Sequence, residues 1–379
     1  MGKRVIIVDF NHMAHRYFHS PFKLSVRVVE NGEIVEKDTR IHSGTMKSIF
    51  NWSNCGSNPT AVCFDRPTPA RKMWFQDSFP DMEIGTSNEY KGNRSKMPES
   101  MFVAIQDCEK MLRSAGVSVF AKQGYEADDL IFACIQRAKE KYPDLPIDVI
   151  TNDADMLPLV DDQVSLFLRS KKGTYAEDKN IEKSNYIQVT PRNFQEIVEG
   201  LSDYKGFTIP YNSILLHKLL RGDNSDNYKR KDISRMFPPT KWNQMIERML
   251  EDYINFPEIF RYGKPLTKIL YKGTDEEFKG TLEEALASPD RTKMYQKICN
   301  SEELDAILTI LKMYTDMDDD MLSHIEKMYW AINLNQIYPN KNPMYARKAY
   351  EVGKECDINS FNPYKLREEA RTFEINLSF

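Results

Sequence analysis

The chain has 379 residues, 41% of them hydrophobic and 28% charged, with a formal net charge of −4. That balance supports a sizeable core and two subdomains, and it excludes a disordered chain. No apolar run approaches the length of a membrane span. "MGKRVIIVDF" has neither the apolar stretch of a signal peptide nor, with Ile6 in place of Ser or Thr, the myristoylation pattern, so a cytoplasmic protein is expected.

In chain order, "KRVIIVDF" reads as a buried strand ending at Asp9, and His12, His15 and His19 then fall on one helical face. These histidines suit packing or phosphate-side roles better than zinc ligation. "VRVVENGEIVEK" alternates about Asn31-Gly32, the signature of a tight hairpin. A helix follows from His42 to Trp52, then a strand "PTAVCFD" ending at Asp65, then a helix over "TPARKMWFQDSF". Residues 85–98, "GTSNEYKGNRSKMP", hold almost no core residues and read as an excursion. "PESMFVAIQDCEKMLRSAG" is a helix bounded by Pro98 and Gly116. It is followed by the strand "VSVFA", the helix "EADDLIFACIQRAKEK", the strand "IDVIT", a short "DADMLPLV" segment and the strand "VSLFLR". Strand–helix alternation predicts an α/β fold with a central, mainly parallel sheet flanked by helices. From about Thr190 helical patterns take over ("FQEIVEGL", "YNSILLHKLL", "KWNQMIERMLEDYI", "ELDAILTILKMY"). The expected organisation is an α/β core over 1–190, a helical C-terminal subdomain over 191–338 and a loosely packed extension over 339–379. The chain end "TFEINLSF" alternates apolar residues and could dock on a partner or pack as a terminal strand.

Cys55, Cys63, Cys108, Cys134, Cys299 and Cys356 are scattered without a CxxC pair and read as reduced core residues. The acids are not scattered. Asp9 and Asp65 end strands, and Asp153 and Asp155 follow "IDVIT". Glu126, Asp128 and Asp129 open a helix, and Asp223 and Asp226 come from "GDNSDN" in the helical half. In an open parallel sheet such positions share one edge, where ligands bind. Read singly, each is an ordinary cap or turn residue. Together their repulsion calls for compensation, and all-oxygen donors suit magnesium or manganese. "DMDDDM" (Asp316, Asp318, Asp320) imitates a calcium loop but has Met321 and Lys327 at the Gly and Glu positions.

In order, "VIIVDFNHMAHR", "AVCFDRPTPARK", "YKGNR…MP", "GYEADDL", "TNDADMLPLV" and "LRGDNSDN" resemble the flap endonuclease/5′–3′ exonuclease family, a PIN-like group. That family includes the nuclease domain of bacterial DNA polymerase I and stand-alone phage nucleases. The resemblance implies a divalent-metal-dependent 5′–3′ exonuclease or flap endonuclease that removes primers and flaps during replication. Its substrates would be branched or nicked DNA and RNA–DNA hybrids. It implies two magnesium ions, with manganese able to substitute. One would lie among Asp9, Asp65, Glu126 and Asp128, and the other among Asp128, Asp153 and Asp155. Asp129, Asp223 and Asp226 would support them. Residues 85–98 would form the family's arch, with Lys91 and Arg94 at the scissile phosphate. Arg71 and Tyr90 would contact the strand. The "GD..DN" stretch is followed by Lys229, Arg230, Lys231 and Arg235 rather than a glycine hairpin. That departure puts a potassium site in doubt, brings the chain closer to the ribonuclease H of T-even phages, and assigns duplex binding to these cations. The partner on which the alternating chain end could dock is a single-strand-binding protein or a sliding clamp, and the chain is expected to be a monomer. Competing readings are a PIN-type ribonuclease and a non-catalytic relative that binds branched DNA.

Overall fold

The computed structural model describes residues 2–21, 24–30, 33–66, 79, 91, 96–169, 186–222, 230–251, 303–332 and 354–377. The chain divides into two compact units, one of residues 1–70, 95–190 and 342–379, the other of 71–94 and 191–341.

The first unit is built on a six-stranded sheet. Its strands are β1 (Val5–Asp9), β4 (Thr60–Cys63), β5 (Ser118–Phe120), β6 (Ile147–Ile150), β7 (Val164–Arg169) and β8 (Tyr186–Val189), in the order β5-β4-β1-β6-β7-β8. All neighbours are parallel except β7 and β8. β8 is a strand that the alternation pattern does not predict, because only the ends of "YIQV" are buried. β1, β4 and β6 are buried along their whole length, as continuous apolar runs require when helices cover both faces. On one face Ile6, Val8, Val62 and Ile150 share a core with α1 (Phe10–Phe18), α2 (Arg40–Trp52) and α3 (Glu99–Ser114). On the other lies α4 (Ala127–Lys141), whose Cys134 thiol is 3.8 Å from that of Cys63. Burial raises the pKa of both thiols, so they stay protonated, as the reading of reduced core cysteines requires. β2 (Ser25–Glu30) and β3 (Glu33–Asp38) form the expected hairpin as a separate two-stranded sheet.

Where α2 crosses α1, a Cβ on Gly44 would lie 2.1 Å from Tyr17 Cδ1, so only glycine admits that ring. The C-terminal segment corrects the expectation of a loose extension. Residues 354–377 return to the first unit, Asn359 bridges to Thr60 at the start of β4, and α11 (Pro363–Arg371) buries Leu366 and Ala370. Ile375 and Leu377 are 4% exposed, and Phe373 stacks on buried His42 with ring centroids 4.4 Å apart. Their alternation is that of a packed terminus, because the inward-facing positions find an apolar slot.

The second unit is helical over its described residues. It contains α5 (Phe194–Glu199), α6 (Ile214–Arg221), α7 (Lys231–Met236), α8 (Pro239–Glu251), α9 (Glu303–Tyr314) and α10 (Asp319–Ile332). Its core includes an aromatic cluster in which His217 lies 5.0 Å from Trp242, 4.7 Å from Phe207 and 5.0 Å from Tyr204. The "DMDDDM" acids belong to a helix start, where the Asp318 carboxylate accepts the Met321 N–H at 2.8 Å. The "TPARKMWFQDSF" helix and most of the 85–98 excursion lie outside the described residues.

Candidate active site

Chain order reverses at β1. β4 and then β5 extend the sheet to one side, and β6 and β7 to the other. Loops leaving the carboxyl ends of β1 and β6 therefore diverge and open a crevice at that edge. Asp9 is paired across to Cys63, and Val8 to Ile150, so Asp9 stands beside Thr151 and one residue beyond the end of β6. Asp65 follows β4 by two residues instead of ending it, because the strand stops at Cys63. Phe64 then stacks on Phe10 at 4.2 Å and ties the two strand ends together.

Hydrogen bonds aim these acids. The Asp9 carboxylate, 1% exposed, accepts the Thr151 hydroxyl at 2.9 Å and the His12 N–H at 3.2 Å, so it also caps α1. Asp65 accepts the Ala127 N–H at 2.7 Å and so reaches the first turn of α4. Glu126 and Asp129 form a reciprocal capping box on the same turn. Asp153 accepts the Asp155 N–H at 2.8 Å and caps the short 3₁₀ helix Ala154–Leu159. His12 Nε2 lies 3.6 Å from Asp153 and 4.0 Å from Asp9, between carboxylates that follow adjacent strands. Three helical N-termini thus face the edge, and their N–H groups offset part of its negative charge.

Asp9, Asp65, Glu126, Asp128, Asp129, Asp153 and Asp155 all belong to the first unit and come from the turns after β1, β4, β5 and β6. His12 and Thr151 join them. Sequence reading gave His12 a packing or phosphate-side role and passed over Thr151. The available signals were the three-residue spacing from Asp9 and the position directly after a buried strand. Asp223, Asp226, Arg71, Tyr90, Arg94 and Lys229 lie outside the described residues. Lys91 is described, in a left-handed turn with φ 57°, as part of the second unit. Arg230, expected to be a phosphate contact, pairs with Asp232 at 3.0 Å and Asp320 at 2.6 Å, while Lys231 and Arg235 are exposed on α7.

The donor set is all-oxygen apart from His12, the chemistry of a hard cation. Among the described residues, however, no group of three or more His, Cys, Asp or Glu is arranged to hold a metal ion. Several of these carboxylates are turned toward helix N-termini instead.

A mainly parallel sheet with acids at its switch point defines an α/β class whose ligand crevice is acidic. Residues 4–185 match the family described as 5′-3′ exonuclease, N-terminal resolvase-like domain. A 5′-3′ exonuclease of Buchnera aphidicola subsp. Schizaphis graminum is 30% identical over 159 residues, 42% of this chain and 50% of that protein. The DNA polymerase I of Caldicellulosiruptor bescii is 28% identical over 204 residues, 53% of this chain and 19% of that protein. The matched stretch thus spans half the length of the first relative and a fifth of the second. A bacteriophage T5 flap endonuclease, solved in a pseudo-enzyme–product complex with DNA and metal ions, aligns over 97% of this chain and 100% of its own at a TM-score of 0.49 and 14% identity.

Proposed function

We propose that the protein is a 5′–3′ exonuclease/flap endonuclease that hydrolyses phosphodiesters in nicked or branched DNA and RNA–DNA hybrids, with a divalent ion, magnesium or manganese, at the acidic edge. The observation that carries this reading is the delivery of acids from the turns after β1, β4, β5 and β6, all within residues 4–185, to the reversal point of the sheet. Asp9, Asp65, Glu126 and Asp128 would hold one such ion and Asp128, Asp153 and Asp155 a second, with Asp129 keeping Glu126 in place through the capping box. Bound there, such an ion supplies a water of lowered pKa and neutralises charge on the phosphate. Thr151 orients Asp9 through its hydroxyl, and His12 can exchange a proton with a group held between Asp9 and Asp153. Lys91 and Arg94 would bind the scissile phosphate, with Arg71 and Tyr90 along the strand.

A second reading is favoured by the capping bonds that occupy these carboxylates: a protein that binds branched DNA without cutting it. A 5′-labelled flap separates the two. The nuclease reading expects release of label with magnesium and none with EDTA. It expects Asp9→Asn to lower the rate by about two orders of magnitude or more. Because Asn caps a helix about as well as Asp, stability should change by less than about 1 kcal/mol. Tight binding of the flap without cleavage in either condition would establish the second reading.

A further inference from the structure

His15, Arg16, His19 and Arg169 are not used by the proposed chemistry, yet with His12 they line a cavity of about 780 Å³ in the first unit. The cavity begins at the acidic edge, where Asp9, Thr151 and Asn152 form one wall, and runs along α1 toward Arg169 at the end of β7. Its size suits a mononucleotide. Its lining is lopsided in charge, with two guanidinium groups (Arg16 and Arg169) against the single carboxylate of Asp9, and three imidazoles add N–H donors.

The cationic wall is rigid. Arg16 Nη1 donates to the Tyr186 hydroxyl at 2.7 Å, and its guanidinium carbon lies 4.9 Å from the Tyr17 ring centroid and 5.4 Å from that of Tyr186. Tyr17 is held by Ser48 at 2.6 Å and by Gly44, which leaves its ring no room to retreat. His15 and His19 lie one turn apart with rings stacked at 6.2 Å. Arg169 is exposed at the mouth. A guanidinium fixed before the ligand arrives loses little entropy on binding, and it matches phosphate geometry.

From this cavity we infer that the protein has a seat for the 5′-terminal phosphate of the strand it degrades and discriminates 5′-phosphorylated from 5′-hydroxyl ends. A phosphate monoester carries about −1.5 to −2 charges at neutral pH. An internal diester carries one, so a cation-rich, single-carboxylate pocket favours a strand terminus over a passing backbone. The wall shared with the acidic edge makes the ligand a nucleotide at the end of a strand rather than an unrelated anion. This inference rests on the 5′-nuclease reading, which supplies the strand.

Calorimetric titration of the full chain in EDTA tests the pocket without metal and without cleavage. dAMP should bind at least about tenfold more tightly than deoxyadenosine, the margin of one charge-assisted contact. Arg169→Ala combined with His19→Gln should cut that ratio below about threefold with the melting temperature unchanged. Arg16→Lys keeps the charge but loses the Tyr186 contact and should fall between. With magnesium, kcat/KM on a nicked duplex should favour a 5′-phosphate over a 5′-hydroxyl end in the wild type and lose that preference in the double variant. Equal binding of dAMP and deoxyadenosine by the wild type, or a ratio unmoved in the double variant, overturns the inference. A chain that cleaves nothing yet prefers dAMP supports the pocket and sinks only the nuclease reading.

Discussion

At the level of single residues, many of the acids have two tasks. Asp9 and Asp153 cap helices, Asp65 bonds the first N–H of α4, and Glu126 and Asp129 cap each other's turn. A backbone N–H fixes the direction of a carboxylate and offsets part of its charge, so the edge tolerates its acids. Buried histidines are the opposite case. Burial, with Arg221 and Lys218 nearby, pulls the pKa of His217 down to about 3 from 6.5. His324 falls to about 4, and His42 is lowered as well, in both cases chiefly by burial. A histidine with a depressed folded-state pKa contributes stability that is whole above pH 6.5 and declines as the unfolded chain takes up a proton that the folded one refuses. His217 alone should remove about 1.4 kcal/mol per pH unit below about 6.5 until its own pKa is reached. His217→Phe, which also removes an Nε2 with no hydrogen-bond partner among the described residues, should lower the slope of stability against pH by about one proton between pH 6 and 4.5. Urea melts across that range report it, and an unaltered slope would show that His217 titrates normally.

Among the elements, the C-terminal segment is the least expected. It crosses the start of β4 and holds the end of α4, with Lys141 Nζ donating to the Ile358 carbonyl at 3.0 Å and the Tyr142 hydroxyl donating to the same carbonyl at 2.8 Å. It then sends α11, Ile375 and Leu377 into the core shared by α1, α2 and α3. Deleting residues 373–379 removes two buried aliphatic side chains, together worth about 3–6 kcal/mol, along with the aromatic contact on His42. Such a truncation should lower the melting temperature markedly and reduce the yield of folded protein. A freely docking tail would leave both unchanged. Ile375→Ala and Leu377→Ala, expected to cost about 2–5 kcal/mol each, separate lost packing from lost length.

Over the whole molecule, a net charge of −4 conceals segregation. The first unit gathers acids at one edge of its sheet and cations in the α1 cavity, while α7 of the second unit exposes Lys231 and Arg235 one helical turn apart. If α7 meets duplex phosphates, each neutralised phosphate contributes about −0.9 to the slope of log K against log salt. Replacing Lys231 and Arg235 by Ala should flatten that slope by up to about 2 units. Arg230→Ala should change it less, because Asp232 and Asp320 already occupy that guanidinium. Filter binding of an Asp9→Asn protein across a salt series gives both numbers. Equal slopes for all variants would remove α7 from the interface.

The strand–helix alternation, the pairing of β2 with β3 and the change to helical periodicity near Thr190 were legible because each is a local pattern of side-chain burial. So was the acidic edge, since a residue that follows a buried parallel strand can lie only at the strand's carboxyl end. Tertiary structure alone decided what lies between distant segments. Strand order β5-β4-β1-β6-β7-β8 makes neighbours of Asp9, Thr151 and Asp153, and no local signal encodes pairing between strands so far apart in the chain. The reversal of the tail into the core, the commitment of Arg230 to Asp320 and the closing of Arg16 onto Tyr186 have the same origin. Each depends on two side chains meeting in space, whereas periodicity reports only whether each one faces inward.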